Sequence, residues 1–284
     1  MEPVTDWFSG KWVLCGEHTV VRGGRAIVLP ASKFRLRIYP GSEAKSDLVV
    51  SELLASLENI LDRDDDGVPS LVSNMPESFR IESNIPTSAG LGSSAALCAA
   101  VVTLRLGSAW VRANFIKALE YARRLEDQFH GTSSGMDVAC SLSGNPLLYE
   151  RGREPLILPS ISGLSVDFFD TGLRAQTADV VKLVGHSKNL LEGDRLMREV
   201  VENTLLVLNK ATHQSSHPHS EVILNDKDLR ELARGMNESM NVYRLWGIVP
   251  SEVETQVLAL KEKGYLGVRL TGKGMGGFLV AMKA

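Results

Sequence analysis

The stretch NIPTSAGLGSSAALCAAVV, residues 84–102, sets the narrowest limit on what this chain can fold into. A short strand pattern, SFRIESN, runs into a glycine loop, a pair of serines and an apolar, alanine-rich helix over 95–106. A helix start leaves N–H groups unpaired and carries a partial positive charge. Gly90 and Gly92 let the backbone turn several amides toward one anion. Ser93 and Ser94 open the helix, where a hydroxyl caps it or reaches an anion or its metal. The loop Ser88, Ala89, Gly90, Leu91, Gly92, Ser93, Ser94 therefore reads as a phosphate-binding turn, set against the plainer reading of an ordinary capped helix. No Gly-Lys-Ser/Thr follows, so it is not a Walker A loop, and it is not G-x-G-x-x-G either. The positive charge such a loop needs must come from elsewhere in the chain.

A second glycine loop lies near the end, in RLTGKGMGGFLVAMK (269–283), with Gly272, Gly274, Gly276 and Gly277 between two apolar strands. Alone it reads equally well as a wide hairpin loop. Two such loops in one chain suggest two walls of one phosphate-bearing site.

Ahead of both loops, KWVLCGEHTVVRGGRAIVLPA (11–31) reads as strand, turn at Gly23-Gly24, strand, and KFRLRIYP (33–40) alternates as a half-buried strand. Helical periodicity marks 47–62, 112–129, 177–184, 193–212, 226–245 and 251–262, and SGMDVACSLSG starts a short helix ending near Gly144. PLLYERG, EPLILP and LSVDFFDTG read as strand pieces. Strands gather in the first half and at the very end, and helices fill the second half. That is not the regular alternation of a doubly wound sheet, so the fold class expected is α+β in two lobes, 1–160 and 161–284.

Across 284 residues, a net charge of −3 with no basic run argues against nucleic acid as main partner. No apolar run is long enough to span a bilayer. The N-terminus lacks the basic-then-apolar layout of a signal peptide, and Cys15, Cys98 and Cys140 each sit in an apolar segment. A cytoplasmic protein, without membrane or nucleic-acid partner, is expected; a homodimer is left open.

Three stretches in order, KWVLCGEHTVV (11–21), PTSAGLGSSAA (86–96) and RLTGKGMGGFLV (269–280), resemble the signatures of the GHMP small-molecule kinase superfamily, most of all its mevalonate kinases. EDQFHGTSSGMDVACSLSG (126–144) and MNESMNVYRLWGIVPSEVE (236–254) resemble further segments of that family. The resemblance implies a two-lobed GHMP kinase fold with ATP and an alcohol acceptor between the lobes. It implies Mg²⁺-dependent transfer of the γ-phosphoryl group of ATP to a small alcohol, in this branch the 5-hydroxyl of mevalonate, an isoprenoid precursor.

By resemblance, ATP lies along 88–94 with Gly272 and Gly274, and Ser94 and Glu126 hold the metal. Asp137 is the base, and Lys11, close to it, balances charge on the moving phosphoryl group, which answers the missing-charge question. Glu17, His18, Ser134 and Thr177 face the acceptor. Each has a plainer reading from sequence alone. Lys11 is an exposed lysine before a strand, Glu126 a solvated charge near a helix end, Asp137 and Thr177 helix caps, and His18 a structural histidine.

The chain departs from the family pattern at Ser88, where glycine is usual, and at Lys273 and Met275, where small residues are usual. The family's arginine near Thr177 falls on Ala175, with Arg174 one position earlier. Other kinases of the superfamily, for phosphomevalonate, homoserine or a sugar, and a non-catalytic descendant stay open as alternatives. The acidic run 62–67 imitates an EF-hand start but lacks its twelfth-position glutamate. His213, His217 and His219 read as a surface linker, and Met236 and Met240 as core.

Overall fold

The computed structural model describes residues 5–41, 47–63, 76–213 and 222–283. The acidic run beyond residue 63 and the side chains of the three histidines lie outside the described residues. The chain divides into two compact units, each assembled from separated stretches. Met1–Lys11, Pro30–Thr87 and Gly92–Gly144 form one; Trp12–Leu29, Ser88–Leu91 and Asn145–Ala284 form the other. Strands β1 (Phe8–Cys15) and β2 (Arg25–Pro40) each contribute one end to each unit.

The first unit is built around helix α2 (Ser93–Leu106), in which every residue from Ala95 to Leu106 is buried. A helix that is apolar all round can only sit inside, and its alanines let neighbours approach closely. Helices α1 (Leu48–Leu61), α3 (Ser108–Ala113), α4 (Phe115–His130) and α5 (Met136–Ser143) pack against it. The buried Arg105 of α2 pairs with Glu58 of α1, so its charge is not left alone. The end of β2, Leu36–Pro40, pairs antiparallel with β3 (Phe79–Ser83).

Two expectations from periodicity are corrected here. The segment 112–129 is not one helix: Asn114 leaves helical geometry, and its backbone and side-chain N–H groups both donate to the Trp110 carbonyl. An asparagine side chain offers the backbone this alternative, which the apolar pattern does not reveal. Conversely, 26–29 and 33–40 form a single 16-residue strand through Pro30. Pro30 falls between the segment paired to β4 and the segment paired to β3, so its missing donor breaks neither ladder.

In the second unit one sheet has the order β1-β2-β4-β5, with β4 (Leu147–Glu150) and β5 (Leu156–Ile157) antiparallel. A three-stranded antiparallel sheet, β7-β10-β9, holds β7 (Val166–Asp170), β9 (Gly267–Thr271) and β10 (Phe278–Met282). Every residue of β9 and β10 is buried. Short strands β6 (Ile161–Ser162) and β8 (Val222–Ile223) pair in parallel. Helix α8 (Asp226–Trp246) packs on β9 and on α7 (Leu190–His213), and α9 (Ser251–Glu262) packs on β9. Met236 and Met240 point into this core, as their helical spacing predicts. Helix α6 (Thr177–Gly185) completes the unit. The mixed α+β class is as expected.

Candidate active site

In the first unit, three side chains named from the sequence, Lys11, Glu126 and Asp137, interact with one another. Lys11 is 2 % exposed, and its Nζ lies 2.9 Å from Asp137 Oδ2. It is therefore no surface lysine. Gly92 makes room for it: a Cβ there would meet Lys11 Cγ at 3.0 Å. Gly92, at φ +76°, is the N-cap of α2, and no side chain caps the helix. The cap role open to Ser93 and Ser94 is unused; Ser94 Oγ sits 2.9 Å from His130 Nε2 instead.

Asp137 lies in the first turn of α5, whose N-cap is Gly135 at φ +83°, so it is not a cap either. Its side chain is 28 % exposed, open enough to meet a bound molecule. Glu126, in the last turn of α4, is 3 % exposed and accepts a hydrogen bond from the Ser133 hydroxyl. Burial pushes its carboxyl up to about 8, and the Asp137 charge adds to the rise. The Ser133 hydrogen bond and Lys11 pull the other way but do not prevail. A buried carboxyl whose ionisation is opposed by burial and by a neighbouring carboxylate is one whose charged form a further cation would stabilise.

Among the described residues no group of three or more His, Cys, Asp or Glu is placed to hold a metal alone. The donors present are hard oxygens, the Ser94 hydroxyl and the Glu126 carboxylate. They fit an ion such as Mg²⁺, which keeps waters and takes its other ligands from phosphate.

In the second unit the site residues are held by backbone. Glu17 is buried; its Oε2 accepts from Arg269 Nη2 at 2.6 Å and its Oε1 from the Gly272 N–H at 3.2 Å. Arg269 is fully buried and also donates to the carbonyls of Leu14 (2.7 Å) and Leu270 (2.8 Å). Tyr243, under the Arg269 guanidinium, donates to the Gly272 carbonyl, and Thr271 Oγ1 accepts from the Val13 N–H at 3.0 Å. The Gly-Glu-His turn is thereby tied to the closing glycine loop.

His18 Nε2 lies 2.8 Å from the Lys273 carbonyl, which only accepts, so Nε2 carries the proton and Nδ1 keeps its lone pair. Burial, chiefly, holds the imidazole neutral with a pKa of about 4. Its ring sits edge-on to Tyr243 and Trp246 at centroid distances of 5.7 and 5.5 Å.

The two glycine loops touch. A Cβ on Gly90 would lie 2.9 Å from the Thr271 carbonyl oxygen, and one on Gly272 would lie 3.0 Å from Gly90 Cα. Gly277 faces the Ala89 carbonyl oxygen in the same way, at 2.7 Å. Among the described residues three that are not glycine have positive φ: His18 (+62°), Ser88 (+56°) and Met275 (+58°). All three lie in the motifs read from the sequence, where such strain concentrates.

Ser134 accepts weakly from the Met136 N–H at 3.3 Å. Thr177 is the first residue of α6, half-buried; the N-cap is Gln176 and no side-chain cap forms. Arg174 is exposed and paired with Asp170 at 2.7 and 2.8 Å. Sequence reasoning passed over His130, Ser133, Tyr243 and Arg269. All four stand inside motifs quoted above; only the fold shows which neighbours they touch.

The sequence profile described as "GHMP kinases N terminal domain" matches residues 53–145, and that described as "GHMP kinases C terminal" matches 220–283. A mevalonate kinase of Aeropyrum pernix is 30 % identical, over 96 % of this chain and 86 % of that protein. The crystal structure of L. major mevalonate kinase in complex with R-mevalonate superposes with a TM-score of 0.69 at 24 % identity, over 100 % of this chain and 90 % of that one. The Lactococcus lactis galactokinase complexed with galactose reaches 0.70 at 15 % identity, over 98 % and 84 %. The chain belongs to the GHMP kinase family, phosphotransferases that take ATP as co-substrate and act on an alcohol. Several further curated relatives, at 23–29 % identity, also bear the name mevalonate kinase.

Proposed function

We propose that this kinase transfers the γ-phosphoryl group of ATP to the 5-hydroxyl of mevalonate, giving 5-phosphomevalonate and ADP. The observation that carries the chemistry is the pair of buried Lys11 and half-buried Asp137 at 2.9 Å, beside the start of α2, which no side chain caps. Phosphoryl transfer is mostly positioning and charge neutralisation, and this pair supplies a base and a cation at one point. Asp137 takes the proton of the acceptor hydroxyl, and Lys11 Nζ steadies the carboxylate and neighbouring phosphate charge. The amides of 88–94, with Gly272 and Gly274, hold the phosphates. Ser94 and Glu126 are the residues that would hold Mg²⁺, which when bound would add to the charge neutralisation.

His18 offers Nδ1 as an acceptor to a hydroxyl of the substrate, while Ser134 and Thr177 complete the acceptor side. Glu17 fixes the closing glycine loop through Gly272 and Arg269. The acceptor's identity rests on the mevalonate kinases among the curated relatives, because the fold is shared with a galactokinase. The profile matches support an N-terminal lobe within 1–160 and a C-terminal lobe within 161–284. Among the described residues no helix is long and apolar enough to cross a membrane. Cys15, Cys98 and Cys140 are buried and, among the described residues, none is joined in a disulfide, which supports a reducing compartment, the cytoplasm. Light scattering decides the homodimer that the sequence leaves open.

A coupled ADP-release assay with mevalonate, phosphomevalonate, homoserine and galactose tests the reading. Turnover on mevalonate well above the other three is expected. Background rates on mevalonate with good turnover on another alcohol would remove the acceptor assignment and leave the kinase chemistry standing.

A further inference from the structure

The segment from Glu126 to Ser133 meets both protein oxygens assigned to the metal. At one end His130, the last residue of α4, has Nε2 2.9 Å from Ser94 Oγ. At the other, the buried Ser133 donates its hydroxyl proton to Glu126 Oε2. Ser133 is itself fixed three times over. Its N–H donates to Asp127 Oδ1 at 2.5 Å, its Oγ accepts from the Gly135 N–H at 3.0 Å, and its proton goes to Glu126. Asp127 is held in turn by Arg123 at 3.2 Å.

We propose that His130 and Ser133 are positioning residues that aim the two protein ligands of the divalent cation. The inference rests on the metal reading of Ser94 and Glu126 given above. A serine hydroxyl has one proton, and it binds a cation only through a lone pair. Its proton must then go to an acceptor, and His130 Nε2, 2.9 Å away, is within reach. A donor at that place would instead occupy a hydroxyl lone pair and compete with the cation. Ser133 does the complementary task on the carboxylate: it occupies Oε2, so that Oε1 would be the oxygen left for the ion. Partners of this kind fix the orientation of metal ligands, and their loss costs ~10–100-fold in metal affinity.

The test is Mn²⁺ binding, followed by electron paramagnetic resonance, in the presence of a non-hydrolysable ATP analogue. Binding of the analogue without metal is measured in parallel. Expected results are a loss of ~10-fold or more in Mn²⁺ affinity for His130→Ala and for Ser133→Ala, with metal-free nucleotide binding unchanged. His130→Gln, which can accept through its amide oxygen, restores part of the affinity; His130→Lys, a donor only, restores none. His130 is exposed, so its variants keep the fold even if the buried Ser133→Ala does not. Wild-type Mn²⁺ affinity in His130→Ala, or equal rescue by Gln and Lys, overturns the proposal while Ser94→Ala and Glu126→Gln still lose the metal. If those last two variants bind Mn²⁺ normally, the metal reading falls and the proposal with it.

Discussion

The neighbourhood of Lys11 and the neighbourhood of Gly272 solve different problems with different means. Around Lys11 the groups are side chains: an ammonium, two carboxylates, two hydroxyls and an imidazole, joined by an ion pair and hydrogen bonds. Around Gly272 the working parts are backbone: close-packed glycines, three non-glycine residues at positive φ, and a buried Glu17–Arg269 pair that braces the loop. Charge can be removed from the first region without changing its shape. In the second region the charge is a buried ion pair that braces the loop, and there is no room to fill. Substitutions in the first should therefore change rate and metal binding, and those in the second should change nucleotide binding and stability.

The largest effect expected is on rate alone. Asp137→Asn keeps the size and half-exposed setting of the side chain but cannot take the hydroxyl proton. A fall in kcat of ~10²–10⁴-fold is expected, the usual range for a positioned general base, with ATP binding retained. Stopped assays at saturating ATP measure the first, and equilibrium titration of a nucleotide analogue the second. Near-wild-type kcat would show that the proton leaves by another route and would blur the contrast between the regions.

The second effect comes from the backbone region. Gly272→Ala puts a Cβ 3.0 Å from Gly90 Cα, at a φ of +83° that alanine rarely adopts. Both loops must shift. A stability loss of ~1–3 kcal/mol and a clear rise in the KM for ATP are expected, with kcat at saturation changed far less than in Asp137→Asn. Denaturant melts and steady-state kinetics check both. A fall in kcat with KM unchanged would break the division of labour between the regions.

The two regions were also unequally legible. The glycine loops stood out in the sequence because glycine at close spacing has few other uses, and the structure seats Gly90 directly on Gly272. Lys11 and Glu126 did not stand out. A lysine before a strand and a glutamate near a helix end look like solvated charges. Their burial, at 2 % and 3 % exposure, is decided by partners more than a hundred residues away for Lys11 and by the turn after α4 for Glu126. Resemblance, not local pattern, picked them out. The break at Asn114 and the run of β2 through Pro30 were missed for a related reason: one depends on a side-chain hydrogen bond, the other on where two strand partners end. Helix α9 was read without error, since its boundaries are set by Pro250 and its own apolar spacing.

A third prediction separates the regions by pH. Unfolded, His18 takes a proton near 6.5; folded, it does so only near 4. Between those values the unfolded chain binds more protons, so stability present above about 6.5 is lost as pH falls toward about 4, and the loss levels off below. His18→Asn tolerates the positive φ and carries no such proton. It should lack ~1–3 kcal/mol of the acid-side loss seen in the wild type, read from denaturant melts at neutral and mildly acid pH. Equal slopes in the two proteins would mean that the ring is already solvated in the native state.

The smallest effect tests the strain itself. Met275 at φ +58° occupies a conformation that costs a residue with a side chain ~1–2 kcal/mol, whereas glycine adopts it freely. Glycine gives back ~0.4–1 kcal/mol of this through greater freedom of the unfolded chain. Met275→Gly should then raise stability by ~0–1.5 kcal/mol, with ATP affinity undiminished. Ser88→Gly, at φ +56° on an exposed turn, should behave alike but more weakly, because serine has less bulk to place. Careful melts resolve such shifts. A loss of ATP affinity in Met275→Gly would show that the methionine side chain contacts the nucleotide. The backbone region would then do part of its binding through side chains, as the Lys11 region does.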